Sequence, residues 1–224
     1  MAPTGSALLA PTSDLDVAAS VKACLAAGDA VGARELYGDL VRRHQRRATR
    51  IALYYLRDGA DADEVVQDAF VKAYTHLASF EYGRSFEVWF TRILVNTCLD
   101  RVKSRTRRAR WMVAAEDLGE ANPMERAATP RQWSPEARSL ERERGDRLLS
   151  AIDRLPERQR TVVVLSQLEG ASTREVSEMT GLRETTIRVH LFRALRRLRT
   201  LLADDPVFRR DDPGSTAGVA EELR

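Results

Sequence analysis

Cysteine is nearly absent: Cys24 and Cys98 are the only two in 224 residues. Two thiols cannot build a disulfide framework or a four-cysteine zinc site. The three histidines, His44, His76 and His190, lie far apart, so no Cys/His cluster completes a ligand set either. No metal and no cofactor are expected. Long apolar runs are missing too. None approaches the roughly 18 residues a membrane span needs, so no membrane insertion is expected. The N-terminus, MAPTGSALLAPTSD, lacks the basic start and long apolar stretch of a signal peptide. These absences point to a soluble, reduced, cytoplasmic protein. Catalytic signatures are lacking as well: there is no Gly-rich phosphate loop, GxSxG elbow or HExxH. Asp58, Asp61, Asp63 and Glu64 cluster, but without the Gly and bidentate Glu of a calcium loop. The chain is not expected to be an enzyme.

Hydrophobic residues make up 43% of the chain, enough for a real core. Proline is absent from residue 12 to residue 122, in a stretch rich in Ala, Leu, Arg and Glu. Such a stretch favours helices, and no alternating strand pattern of useful length competes. The expected fold is all-α, with two small helical domains joined by a flexible linker. The expected divisions are a disordered extension (1–16), a first domain (17–111), a linker (112–142), a second domain (143–203) and an acidic disordered tail (204–224). Pro123, Pro130 and Pro135 mark the linker. Periodicity predicts helices over 33–57, 62–78 and 86–103. Asp61 is read as the N-cap of the second of these, with Glu64 three residues on. In the second domain, Pro156 is read as the first residue of a helix reaching about Leu168. Ser172 and Glu175 form a capping box, Gly181 stops the capped helix, and 184–201 forms the last one.

Net charge is only +3, from 36 basic and 33 acidic residues, and by itself says little about partners. Its distribution says more. Seventeen of the 36 basic residues fall in three windows, 42–50, 101–110 and 183–199, where Glu184 is the only acid. Basic stripes on helices suit a polyanion. Residues 172–199, STREVSEMTGLRETTIRVHLFRALRRLR, read as a helix-turn-helix. Val176, Met179, Leu182, Ile187, Leu191, Leu195 and Leu198 supply its apolar side. Arg188, Phe192 and Arg193, with Thr185 and Thr186, face outward. His190 is read as a surface or phosphate-facing residue. Aromatic residues number only 14, yet five lie in FEYGRSFEVWF, residues 80–90. Phe86, Trp89 and Phe90 have core spacing. Phe80 and Tyr82, beside Gly83, are expected to be exposed and able to stack on unpaired bases.

An aromatic-basic helical segment, a polar linker and a helix-turn-helix, in that order, resemble a bacterial sigma factor of the extracytoplasmic-function (ECF) group of the sigma-70 family. DGADADEVVQDAFVKAYTHLASF with SFEVWFTRILVNTCLDRVKSRTRR is similar to sigma region 2. LPERQRTVVVLSQLEGASTREVSEMTGLRETTIRVHLFRALRRLR is similar to sigma region 4. The resemblance implies a transcription initiation factor that binds core RNA polymerase, melts and reads a −10 promoter element, and reads a −35 element. By position, it implies −10 DNA contacts at Phe80, Tyr82, Asn96, Arg101, Lys103 and Arg105. It implies −35 contacts at Arg183, Thr185, Thr186, Arg188, Val189, Phe192 and Arg193. It places polymerase contacts at Asp61, Glu64, Gln67 and Asp68, although dipole compensation at a helix start also accounts for Asp61, Asp63 and Glu64. A controlling anti-sigma factor is a further implied partner. Val189 stands where the family often has a small polar residue, and Thr173 replaces a common aromatic. The main alternative is a conventional helix-turn-helix regulator that binds duplex DNA without replacing sigma, typically as a dimer. A polymerase adaptor with no promoter preference is another.

Overall fold

The computed structural model describes residues 13–81, 83–115, 135–203 and 205–209; Tyr82 lies outside them. Among these residues there are helices and turns and no strand, and no helix is long and apolar enough to cross a membrane. The chain divides into two compact units, Met1–Ala127 and Ala128–Arg224.

The first unit holds α1 (Asp14–Ala26), α2 (Ala30–Leu56), α3 (Gly59–Thr75) and α4 (Phe86–Ala115). A 3₁₀ turn, Leu77–Ser79, follows α3. Helix α2 buries Ala33, Tyr37, Leu40, His44, Ala48, Ile51, Ala52 and Tyr55. That three-and-four spacing is one face of a helix. Helix α3 answers with Val65, Val66, Ala69, Phe70 and Ala73. From α4, Phe86, Phe90, Leu94 and Cys98 close the core. The Phe70 and Phe90 rings stack with centroids 4.4 Å apart. Tyr37 donates its hydroxyl to the Phe70 carbonyl at 2.7 Å, and burial drives its phenol far above the ordinary value. Burial also pushes the Cys98 thiol up to about 12, leaving it inert at neutral pH.

The second unit holds α5 (Pro135–Asp153), α6 (Glu157–Val163), α7 (Thr173–Thr180), α8 (Glu184–Leu202) and the short α9 (Pro206–Arg209). Helix α6 runs on into a π turn, Val164–Leu168. Ile152, Leu155, Val162, Leu165, Val176, Met179, Ile187, Ala194 and Leu198 form its core. The Ser172–Glu175 capping box is present: Ser172 Oγ accepts from the Glu175 N–H at 3.2 Å, and the Glu175 carboxylate accepts from the Ser172 N–H at 2.8 Å. Gly181 ends α7 at φ +72°, a conformation that costs glycine little.

Several expectations need correction. Asp58, not Asp61, caps α3, accepting from the Asp61 N–H at 2.9 Å. Gly59 and Ala60 enter the helix, so the chain breaks earlier, at Arg57 in the left-handed region. Pro156 stands just before α6 as its cap residue rather than inside it. Helix also occupies stretches read as unstructured: α1 starts at Asp14, α4 runs to Ala115, α5 starts at Pro135, and α9 follows Asp205. Helix α1 precedes the first helix that periodicity predicts, at residue 33. Ser13 caps it with Asp16 in a reciprocal box, and Val17, Ala18 and Val21 tie it into the core.

Candidate nucleic-acid interface

The helix-turn-helix follows from local chemistry. The capping box starts α7, Gly181 turns the chain, and Ser177 Oγ donates to the Leu182 carbonyl at 2.6 Å to hold the turn. Helix α8 buries Ile187, Ala194 and Leu198. At 100° per residue, the direction opposite that face carries Thr185, Val189, Phe192 and Arg196. Arg188, Arg193 and Arg199 flank the line, and all seven are exposed. Phe192 is 68% exposed and Val189 47%. An exposed aromatic between arginines serves no packing purpose and suits contact with a polar, π-rich partner. Arg188 lies 3.4 Å from Glu184 one turn back; an exposed pair of this kind is worth little and exchanges readily. The other α8 arginines have no ion-pair partner among the described residues. Arg183 sits at the N-cap, and Thr186 is half-buried on the edge near Arg193. Arg196 belongs at the centre of the outward line, which the residue-by-residue resemblance missed. His190 is half-buried, and its Nδ1 is closed off with no hydrogen-bond partner among the described residues. It does not stand on the exposed face expected for it.

The first unit is arranged differently. Phe80 is only 4% exposed, against the expectation of an open aromatic. Its ring packs on Phe86 at 5.8 Å and Trp89 at 5.2 Å, so hydrophobic burial wins over display at the turn. Lys22 of α1 donates to the Phe80 carbonyl at 3.0 Å, pinning the start of the loop that leads to Gly83 and α4. Nothing local in the sequence signals this contact across 58 positions. Asn96 is exposed on α4, on the same side as Trp89, Arg92, Asp100, Lys103 and Arg107.

Arg101 and Arg105 do not share that side. They lie roughly 140° and 180° around α4 from Asn96, turned toward α3. Arg101 reaches Glu64 at 2.5 Å and Asp61 at 3.5 Å. Arg105 pairs with Asp61 and donates to the Leu56 carbonyl at 3.3 Å. The hydrogen bond and charge of Arg101 hold the Glu64 carboxyl below its ordinary value. The residues assigned to two different partners are therefore brought together on each other. Asp61 is freed for this because Asp58 does the capping. On α3, Glu64, Gln67 and Asp68 are exposed along with Asp63, while Asp61 is half-buried.

Part of the first basic window is also committed internally. Arg42 pairs with Asp39, Arg43 reaches Asp14 at 3.0 Å, and Arg47 reaches Glu87 at 2.6 Å. His44 Nε2 lies 2.8 Å from the same Asp14 carboxylate. Arg43 and His44 fasten α1 to α2, and Arg47 fastens α4 to α2. Among the described residues, no group of three or more His, Cys, Asp or Glu could hold a metal ion.

Residues 40–108 match the family model for sigma-70 region 2, and residues 145–198 match the model for sigma-70 region 4. The ECF RNA polymerase sigma factor SigM of Mycobacterium tuberculosis is 33% identical over 178 residues, covering 80% of this chain and 83% of that protein. The ECF sigma-E factor of Escherichia coli is 32% identical over 164 residues, 73% of this chain and 84% of its own length. Among solved structures, CnrH in complex with the cytosolic domain of CnrY aligns with a TM-score of 0.60 and 26% identity. That alignment covers 86% of this chain and 98% of CnrH.

Proposed function

We infer that this chain, which belongs to the extracytoplasmic-function group of RNA polymerase sigma factors, carries promoter contacts on α4 and α8 and polymerase contacts on α3. It is a transcription initiation factor that directs RNA polymerase to promoters, not an enzyme. The conventional-regulator alternative gives way to this reading.

On α8, Thr185, Val189 and Phe192 meet the −35 major groove, flanked by Arg183, Arg188 and Arg193, with Thr186 at the edge. Arginine reads guanine O6 and N7 as a bidentate donor. Phe192 supplies apolar contact to a thymine methyl. The observation that carries this reading is the exposed Phe192 inside a basic face. On α4, Asn96 reads a base edge, since its amide both donates and accepts, and Lys103 faces the backbone. Phe80 acts from beneath, as the packed floor under Trp89, rather than as an exposed stacking platform. On α3, Glu64, Gln67 and Asp68 present an exposed polar-acidic face to core polymerase. Each DNA contact can be weak, because one polymerase scaffold tethers both.

CnrH is held by a separate chain in its solved complex, which supports an anti-sigma partner here. The role places the protein in the cytoplasm with the polymerase. Gel filtration with bacterial core polymerase tests the docking. Stoichiometric co-elution, displaced by a second sigma factor, is expected. Elution apart from polymerase, with tight duplex binding by the chain alone, would return the reading to a conventional regulator.

A further inference from the structure

Helix α4 carries two basic faces with different surroundings. One face is closed. Arg101 and Arg105 are held by Asp61 and Glu64 of α3, and Arg105 also caps the end of α2 through the Leu56 carbonyl. Four side chains thus lie across the crossing of α3 and α4. Asp61 has only 17% of its side chain exposed, and Arg101 25%. Both members of that central pair are part-buried, and a phosphate could take Arg101 only by breaking its contacts to Asp61 and Glu64.

The other face is open. Trp89, Arg92, Asn96, Asp100, Lys103 and Arg107 recur at three- and four-residue steps along one side. From Trp89 to Arg107 this side spans about 27 Å. Arg92 and Arg107 are exposed, with no ion-pair or hydrogen-bond partner among the described residues. Lys103 is exposed as well. One acid, Asp100, interrupts the row. Three cations against one carboxylate, with a half-buried indole at one end and an amide between, complement a single DNA strand.

We propose that the phosphate-binding cations of α4 are Arg92, Lys103 and Arg107, whereas Arg101 and Arg105 are positioning residues that brace α4 on α3. This deepens the reading of α4 as a DNA-binding helix and rests on it. Arg101 and Arg105, which the family resemblance sets on the DNA, instead turn away from the Asn96 side. In this arrangement Asp100 repels the strand locally, and Glu64 and Asp61 set the helix crossing that presents Asn96.

The test uses the full chain and a short fluorescent oligothymidine as probe, with affinity followed by anisotropy across a range of salt concentrations. Each lost phosphate contact lowers the salt slope by about 0.7 for a single strand. Arg92→Ala and Arg107→Ala are expected to weaken binding severalfold and to lower the slope. Asp100→Asn is expected to tighten it. Arg101→Ala and Arg105→Ala are expected to lower the melting temperature while leaving the slope of the folded protein unchanged. The exchanged pair Arg101→Glu with Glu64→Arg is expected to recover melting temperature that Arg101→Glu alone loses. Should Arg101→Ala prove too unstable, Arg101→Gln serves for the slope. A fall in slope for Arg101 and Arg105 variants, with none for Arg92 and Arg107, overturns the proposal while leaving α4 a DNA helix. No effect from any of these or from Asn96→Ala, or no binding by the wild-type chain, overturns the DNA reading of α4 and the proposal with it.

Discussion

Helices α4 and α8 both read as basic in sequence, yet their arginines do different work. On α8, the buried positions Ile187, Ala194 and Leu198 occupy one direction, and the arginines fan out over the rest. The only acid within that window, Glu184, meets Arg188 at the surface. On α4, two of the arginines face the acidic start of α3 and are taken up there. A count of charge along the chain treats the two windows alike. The difference comes from what packs beside each helix: α8 offers its basic side to solvent, whereas α4 is flanked by a neighbour that begins with carboxylates.

The aromatic residues repeat the contrast and give its largest expected effect. Phe90 is 2% exposed and stacked on Phe70, while Phe192 is 68% exposed. Phe90→Ala is expected to destabilise the first unit by about 3–5 kcal/mol, the usual cost of emptying a core aromatic site. Phe192→Ala is expected to leave stability nearly unchanged and to weaken DNA binding. Thermal melting of the two variants, and promoter binding by core polymerase carrying each, separate these outcomes. If Phe192→Ala melted far lower, its ring would be packing against the protein after all.

Next in size is the base readout. Arg188→Ala is expected to cost about 1–3 kcal/mol of −35 discrimination, measured as the ratio of open-complex formation on matched and altered promoters. Asn96→Ala is expected to impair promoter opening while polymerase co-elution persists; equal loss of both would make Asn96 structural. Ser172→Ala removes one half of the α7 capping box and is expected to cost about 1 kcal/mol, read by chemical denaturation. The smallest effect concerns the thiols. Cys98 is fully buried and its thiol is pushed up to about 12, whereas Cys24 is half-exposed. A thiol reagent at neutral pH is expected to label Cys24 alone, and to reach Cys98 only as the first unit unfolds.

The reach of sequence reasoning follows the same division. Signals that act over one turn were legible: Ser172 with Glu175, Gly181, and the apolar spacing of α8. The outward set of α8 follows from these, apart from Thr186, which is half-buried on the edge, and Arg196, which spacing alone adds. Where two residues compete for one local role, local signals do not decide between them. Asp58 and Asp61 both suit an N-cap, and only the helical entry of Gly59 and Ala60 decides for Asp58. Contacts between distant residues were not legible. The pairing of Asp61 with Arg101 spans 40 positions, and that of Lys22 with Phe80 spans 58. A turn after Phe80 makes its ring read as exposed, whereas the packing of Phe86 and Trp89 against it exists only in three dimensions.

The most direct test of the account is promoter selection from a random DNA library by core polymerase carrying this chain. With the wild-type chain, two spaced elements should be enriched. With Arg188→Ala, the upstream element should fade while the downstream one persists. Enrichment of one and the same duplex sequence by the chain without polymerase would contradict the account.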